Sequence, residues 1–293
     1  ALFGIKPEKR DTRIMVTMPA EAATDITVIE SMLAEGMNCA RINCAHDNEE
    51  IWDRIIENIH DCCIKNGKEC SIVMDIAGPK IRTGSLAGDN IVLKPCDTLI
   101  LTKEDIPGEN ATYKSCAHIP CSLDNVFRCA VPGDRIFFDD GKIEGRIEKV
   151  SLDNIEVSIT NAKAAGSKLK SDKGLNFPDT KLDCMGFTEK DIENLKVIKK
   201  NQEKWNIAAL NLSFVNTPQE LDMMIDFIKE LGLEIGIIVK IETEEAFENL
   251  PGIILAAMKI YPAGIMLARG DLAIETGWKN FATIQEEIIR IAA

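Results

Sequence analysis

The sequence predicts an α/β protein: a TIM-type (β/α)8 barrel with six of its eight units present and an all-β domain inserted after the third strand. Three observations predict it. Short apolar runs alternate with amphipathic helical patterns, the rhythm of βα units around a parallel sheet. From about residue 85 to residue 173 that rhythm gives way to short β-rich segments. No G-x-G-x-x-G follows the first apolar run, which disfavours an open doubly wound sheet.

The elements follow in order. The first strand is Arg13 to Met18. Its helix starts at Asp25, carries Ile26, Ile29 and Leu33 on one face, and stops at Gly36. The second strand is Asn38 to Asn43, and its helix runs from Asn48 to Asn66, closed by Gly67. The third strand, Ser71 to Asp75, ends in Gly78-Pro79. The β-rich stretch is punctuated by Gly88-Asp89, Pro132-Gly133, Asp140-Gly141 and Asp153-Asn154, all turn dipeptides. Thr188 is a good N-cap for a helix through Asn201. The fourth strand is Ile207 to Leu212, and a helix follows from Thr217, with Pro218 at its first position. Strand five is Ile235 to Ile241, strand six is Gly264 to Ala268, and the last helix starts near Asn280. The expected organisation is barrel over 1–84, inserted β-barrel domain over 85–173, and barrel again over 174–293. The helical pattern from Phe281 to Ala293 has no cap or turn signal at its end, so a longer parent chain is expected.

Composition limits the partners. The chain has 293 residues, a net charge of −13 and a pI near 4.9. A field of that sign argues against nucleic acid and anionic membranes, and any phosphate site must gather its cations locally. No run of about 18 apolar residues suggests a membrane span. Ten cysteines without a C-x-x-C pair or a secretory signal read as reduced thiols in the cytoplasm.

Catalysis in a parallel barrel sits at the C-terminal strand ends, where residues two apart face the same way. Arg41 and Asn43 end strand two, and a cation buried there needs an anion to meet. Asp75 ends strand three, followed by a loop that brings Lys80, Arg82 and Thr83 together. Lys240 and Glu242 share a face of strand five, and strand six runs into Arg269-Gly270-Asp271. Glu242 and Asp271 on neighbouring strand ends make a natural Mg²⁺ site. Lys240 beside them supplies a positive charge for a developing oxyanion or a moving phosphoryl group. Gly270 lets the backbone approach a ligand closely. Each feature alone has a plainer reading: Lys240–Glu242 as a structural ion pair, Arg41 as a salt bridge to Asp75, His46 as a satisfied loop histidine. The joint pattern at successive strand ends outweighs them.

At these residues the chain resembles the pyruvate kinase family. Five segments match in order and spacing: Gly36 to Asn43, Asp75 to Gly84, Lys173 to Pro178, Lys240 to Glu242, and Ala268 to Leu272. The resemblance implies phosphoryl transfer from phosphoenolpyruvate to ADP, giving pyruvate and ATP, in glycolysis. It implies that Glu242 and Asp271 hold Mg²⁺ or Mn²⁺ and that Lys240 stabilises the transferring phosphoryl group and the enolate. It further implies that Arg41, Gly270 and Asp271 contact substrate, and that Arg82, Lys173 and His46 face the nucleotide. The inserted domain corresponds to a mobile lid, and the regulatory domain and last barrel units would follow in a homo-oligomeric parent. The family's K⁺ position reads Asn43, Ala45, Asp75 and Ile76 here, one hydroxyl short, and Lys80 stands where K⁺-independent members carry lysine. K⁺-independent activity is therefore expected. Two alternatives are another Mg²⁺ enzyme of phosphoenolpyruvate or pyruvate, such as an aldolase or lyase, and a non-catalytic paralogue, to which Ala45, Ile76 and Ala77 give weight.

Overall fold

The computed structural model describes residues 2–8, 10–122, 125–181 and 186–292 of the chain; Ala293, the expected end of the last helix, lies outside the described residues. Strands β1 (Ile14–Thr17), β2 (Met37–Asn43) and β3 (Ser71–Ile76) lead into β4 (Ile91–Leu93), β5 (Thr98–Thr102), β6 (Ala117–Pro120), β7 (Arg135–Phe138), β8 (Ile143–Val150), β9 (Asn154–Asn161), β10 (Ser167–Leu169) and β11 (Leu175–Asn176). Strands β12 (Ile207–Leu212), β13 (Gly236–Ile241) and β14 (Ala263–Leu267) then rejoin the first three. They form a curled half-barrel, a six-stranded parallel sheet in the order β1-β2-β3-β12-β13-β14.

Among the described residues a short 3-10 helix (Ala20–Ala23) precedes helices α1 (Ile26–Ala34), α2 (Glu49–Asn66), α3 (Val126–Cys129), α4 (Glu189–Trp205), α5 (Pro218–Glu230), α6 (Glu244–Glu248), α7 (Leu250–Ala257), α8 (Arg269–Thr276) and α9 (Trp278–Ala292). The long ones begin where the side chains demand. Asn48 accepts a hydrogen bond from the Ile51 amide, Thr188 and Thr217 close reciprocal capping boxes with Asp191 and Glu220, and Gly67 ends α2 in the left-handed region. No helix among the described residues is long and apolar enough to cross a membrane.

Several boundaries differ from the sequence reading. Helix α4 passes Asn201 and ends at Trp205, because buried Leu195, Ile198 and Trp205 continue its core stripe until left-handed Asn206 stops it. Ile26 is exposed, so the buried stripe of α1 is Ile29 and Leu33 alone. Ala268 caps α8 instead of ending strand six, and α9 begins at Trp278, ahead of Asn280. Helices α6, α7 and α8 are five, eight and eight residues long, too short for periodicity to show.

Alternation divides the parallel sheet into two faces. Its outer face, with Ile42, Met74, Leu210, Val239 and Ile241, packs against the helices in one large core. The lower inner face is a smaller cluster, Cys39, Val73, Ala209 and Ile238, covered by Leu2 and flanked by Phe3, Met15 and Met266. Two glycines admit that cover: a Cβ on Gly236 would stand 2.6 Å from Leu2, and one on Gly264 would stand 3.1 Å from it.

Strands β5 to β9 and β11 form a second six-stranded sheet in the order β11-β7-β8-β9-β5-β6, and β4 pairs with β10 beside it. Its apolar core takes in Ile81, Leu175 and Phe177. The packing of the inserted segment therefore reaches past residues 85 and 173 on both sides. The chain crosses between the two cores at the Arg82–Gly174 bridge.

Candidate active site

Above the apolar floor the same inner positions turn polar. Thr17, Arg41, Asn43, Asp75, Asn211, Ser213, Lys240 and Glu242 stand at or just beyond the C-terminal ends of five adjacent strands. Register makes neighbours of Asn43, Asp75 and Asn211 across β2, β3 and β12. Arg41 donates to Thr17 Oγ1 at 2.6 Å and makes a close ion pair with Asp75.

Lys240 is buried and has three oxygens around it. Its Nζ lies 2.9 Å from Glu242 Oε1, 2.8 Å from Ser213 Oγ and 3.9 Å from Asp75 Oδ1. Ser213 donates onward to the Ile76 carbonyl at 2.7 Å. Glu242 Oε2 accepts the Phe214 amide at 2.8 Å. Burial pushes the Glu242 carboxyl up; the Lys240 ammonium opposes that, and the charge on Asp271 adds to it. The two acidic groups are therefore close enough to repel, the condition under which a dication is welcome.

Asp271 lies in the first turn of α8, where a carboxylate also meets the positive end of the helix. Its partner is Lys80, with Nζ 3.0 Å from Oδ1. At Gly270 a Cβ would meet nothing within 4 Å, so the approach to this turn is open. Among the described residues no three His, Cys, Asp or Glu side chains converge as a metal cluster, so a metal at this rim would have to rest on fewer carboxylates, such as the Glu242–Asp271 pair. Mg²⁺ commonly takes one or two carboxylates and completes its shell with water and substrate oxygens, so a pair suits it.

Not every expected residue joins this group. Lys80 makes its hydrogen bond to Asp271 and lies over the Phe214 ring, 5.8 Å from the centroid; it does not reach Asn43 or Asp75. Asn43 Oδ1 accepts the Ala45 amide instead, and the Ile76 carbonyl accepts from Ser213. Arg82 pairs with Asp172 at 3.4 Å and Lys173 with Asp139 at 3.5 Å, both on the inserted-domain side. Exposed His46 lies at the edge of the rim, in a pocket it shares with Thr17, Asn43 and Trp52.

The sequence reading missed Asn211 and Ser213, although their spacing is the same i, i+2 signal that marks Arg41/Asn43 and Lys240/Glu242. Buried Asn211 holds an amide whose Oδ1 has no hydrogen-bond partner, in the layer where Arg41 Nε and Asp75 Oδ1 also lack one. It also missed Glu275, one turn after Asp271 on α8. Burial pushes the Glu275 carboxyl up to about 7, opposed by a 3.3 Å hydrogen bond from Asn176 of β11. It borders a cavity of about 240 Å³ lined in part by Pro79, Ile81, Phe177, Phe214 and Glu244.

The family model for the barrel domain of pyruvate kinase matches residues 9–293. The chain belongs to the pyruvate kinase family. It is 30% identical over 279 residues to a pyruvate kinase of Thermococcus litoralis, covering 95% of this chain and 54% of the relative. With a Thermotoga maritima pyruvate kinase it shares 31% identity over 286 residues, 97% of this chain and 56% of the relative. A Corynebacterium efficiens pyruvate kinase is 29% identical over 289 residues, with 97% and 56% covered. The chain thus spans about half the length of the curated relatives it matches. Four of the five pyruvate kinase-like segments contribute to the polar rim (β2, the β3 end and the loop after it, β13, the start of α8), and the fifth, Lys173 to Pro178, lies at the crossing between the two cores.

Proposed function

We propose that the rim is the phosphoryl-transfer site of a pyruvate kinase-type enzyme, converting phosphoenolpyruvate and ADP to pyruvate and ATP. One observation carries the reading. A buried lysine is held by Glu242, Ser213 and Asp75 beside a second carboxylate, Asp271, whose charge Glu242 feels. A structural ion pair has no need of the second acid or of the open turn at Gly270.

In this reading Glu242 and Asp271 hold Mg²⁺ or Mn²⁺. When bound, the ion would neutralise charge on substrate oxygens and polarise them. Lys240 is fixed in place by its three oxygens and stabilises negative charge on the transferring phosphoryl group and on the enolate left behind. Arg41 belongs to the substrate side, after exchanging one of its inward partners for a phosphate oxygen. The open first turn of α8 receives the substrate carboxylate. Arg82 and Lys173 serve the nucleotide phosphates from the inserted domain, which acts as a lid. Lys80 supplies a positive charge at the rim in place of K⁺.

The test follows pyruvate release from phosphoenolpyruvate in Mg²⁺, with and without ADP. ADP-dependent release supports the kinase reading, and release without ADP favours a lyase-type enzyme. No release together with no binding of Mn²⁺ or phosphoenolpyruvate favours a non-catalytic relative. Replacing Na⁺ by K⁺ is expected to leave the rate unchanged, and a several-fold rise removes the role given to Lys80.

A further inference from the structure

Each carboxylate of the Glu242–Asp271 pair already carries a lysine, and the two lysines are held differently. Lys240 has three oxygen partners, so the loss of one leaves it in place. Lys80 has one hydrogen-bond acceptor among the described residues, Asp271, together with the face of Phe214. Its stem is seated independently of that ion pair: a Cβ on Gly174 would stand 3.1 Å from Lys80 Cε, in the crossing between the two cores. Lys80 and Asp271 are about one-fifth exposed, where an ion pair is only partly screened by water.

Resting on the reading of Glu242 and Asp271 as a divalent-cation site, we propose that Lys80 is a built-in competitor for that cation at Asp271. Ammonium and dication are drawn to the same carboxylate and repel one another. The free energy of the Lys80–Asp271 pair is therefore subtracted from the affinity for the cation. By linkage, the cation must in turn loosen Lys80. Displaced, the ammonium stays tethered at the rim by its stem, where it can supply the charge assigned to it above.

The experiment titrates Mn²⁺ into the chain and its variants by calorimetry or by loss of the free-ion paramagnetic signal. Lys80→Met keeps the stem and removes the charge, and is expected to bind Mn²⁺ about tenfold more tightly. Lys80→Gln provides a second charge-free variant should the first fold poorly. Lys80→Arg, with a guanidinium better matched to a carboxylate, is expected to bind no more tightly than the parent. Asp271→Asn is expected to abolish the gain when combined with Lys80→Met. In the parent chain, acylation of Lys80 read by mass spectrometry should rise when Mn²⁺ is added. Equal or weaker Mn²⁺ binding by both charge-free variants overturns the competition while leaving the carboxylate pair intact. No Mn²⁺ binding by parent or variants overturns the pair itself, and the competition with it.

Discussion

The inner face of the parallel sheet has a floor and a rim built by the same strands, and they solve burial in opposite ways. In the floor, Cys39, Val73, Ala209 and Ile238 are fully buried and fill the space beneath Leu2. One or two steps further along each strand, Asp75, Asn211, Lys240 and Glu242 are almost as buried but charged or polar. The floor removes apolar surface from water at roughly 25 cal/mol per Å² and asks nothing of geometry beyond fit. The rim must satisfy every charge with a partner, and three of its atoms, Arg41 Nε, Asp75 Oδ1 and Asn211 Oδ1, have no hydrogen-bond partner among the described residues, Asp75 Oδ1 having only the 3.9 Å ion pair with Lys240. Unpartnered polar atoms cost stability, and in this sheet's inner face they stand in the layer where strand ends of such barrels do chemistry.

The largest effect that tests this contrast comes from one substitution in each layer of β13. Lys240→Met should lower ADP-dependent pyruvate formation by about 10²–10³-fold. Ile238→Ala should lower stability by about 2–5 kcal/mol in urea denaturation while leaving the KM values close to those of the parent. If Ile238→Ala cuts the rate as deeply as Lys240→Met, floor and rim are not separate in function.

Glu275 sharpens the comparison, being buried like the floor and acidic like the rim. Its folded pKa of about 7 stands above the ordinary 4.5, so between those values the folded state binds more protons than the unfolded one. The stability contributed by protonated Glu275 is full below about pH 4.5 and lost as pH rises through about 7. Glu275→Gln, which keeps a partner for Asn176, should flatten that slope and make the protein more stable than the parent at pH 8, by about 2–3 kcal/mol. Thermal melts of both proteins from pH 5 to pH 8 measure it, and parallel curves would remove the assignment. The smallest effect is expected at Asn211. Asn211→Leu replaces an amide whose Oδ1 is unpartnered and whose Nδ2 has only the Met266 sulfur, 3.6 Å away, by a hydrocarbon of similar size, and should raise stability by about 1 kcal/mol. A loss instead would show that Asn211 has a bound partner in solution.

Much of the scaffold was legible because its signals are local. The bounds of β12, the start of α5 at Thr217-Pro218, and the α2 limits at Asn48 and Gly67 follow from alternation and from side chains that bond their own backbone. The strand-end pairs Arg41/Asn43 and Lys240/Glu242 were legible for the same reason. Asn211 and Ser213 carry the same spacing but were passed over, because neither is charged and their use emerges only beside Asp75 and Lys240. The reach of the second core to Ile81, Leu175 and Phe177 was hidden by its distance from the boundary turns.

By itself the sequence determined the βα rhythm, the inserted β segment and which side chains reach the strand ends, since period and capping depend on neighbours a few residues away. Tertiary structure alone decided who meets whom: Lys80 with Asp271 across 191 residues, Ser213 with Lys240, and Asn176 with Glu275. Those pairings depend on how the sheet curls and where the chain crosses between two cores, and electrostatic attraction over such separations in sequence leaves no periodic trace in the chain.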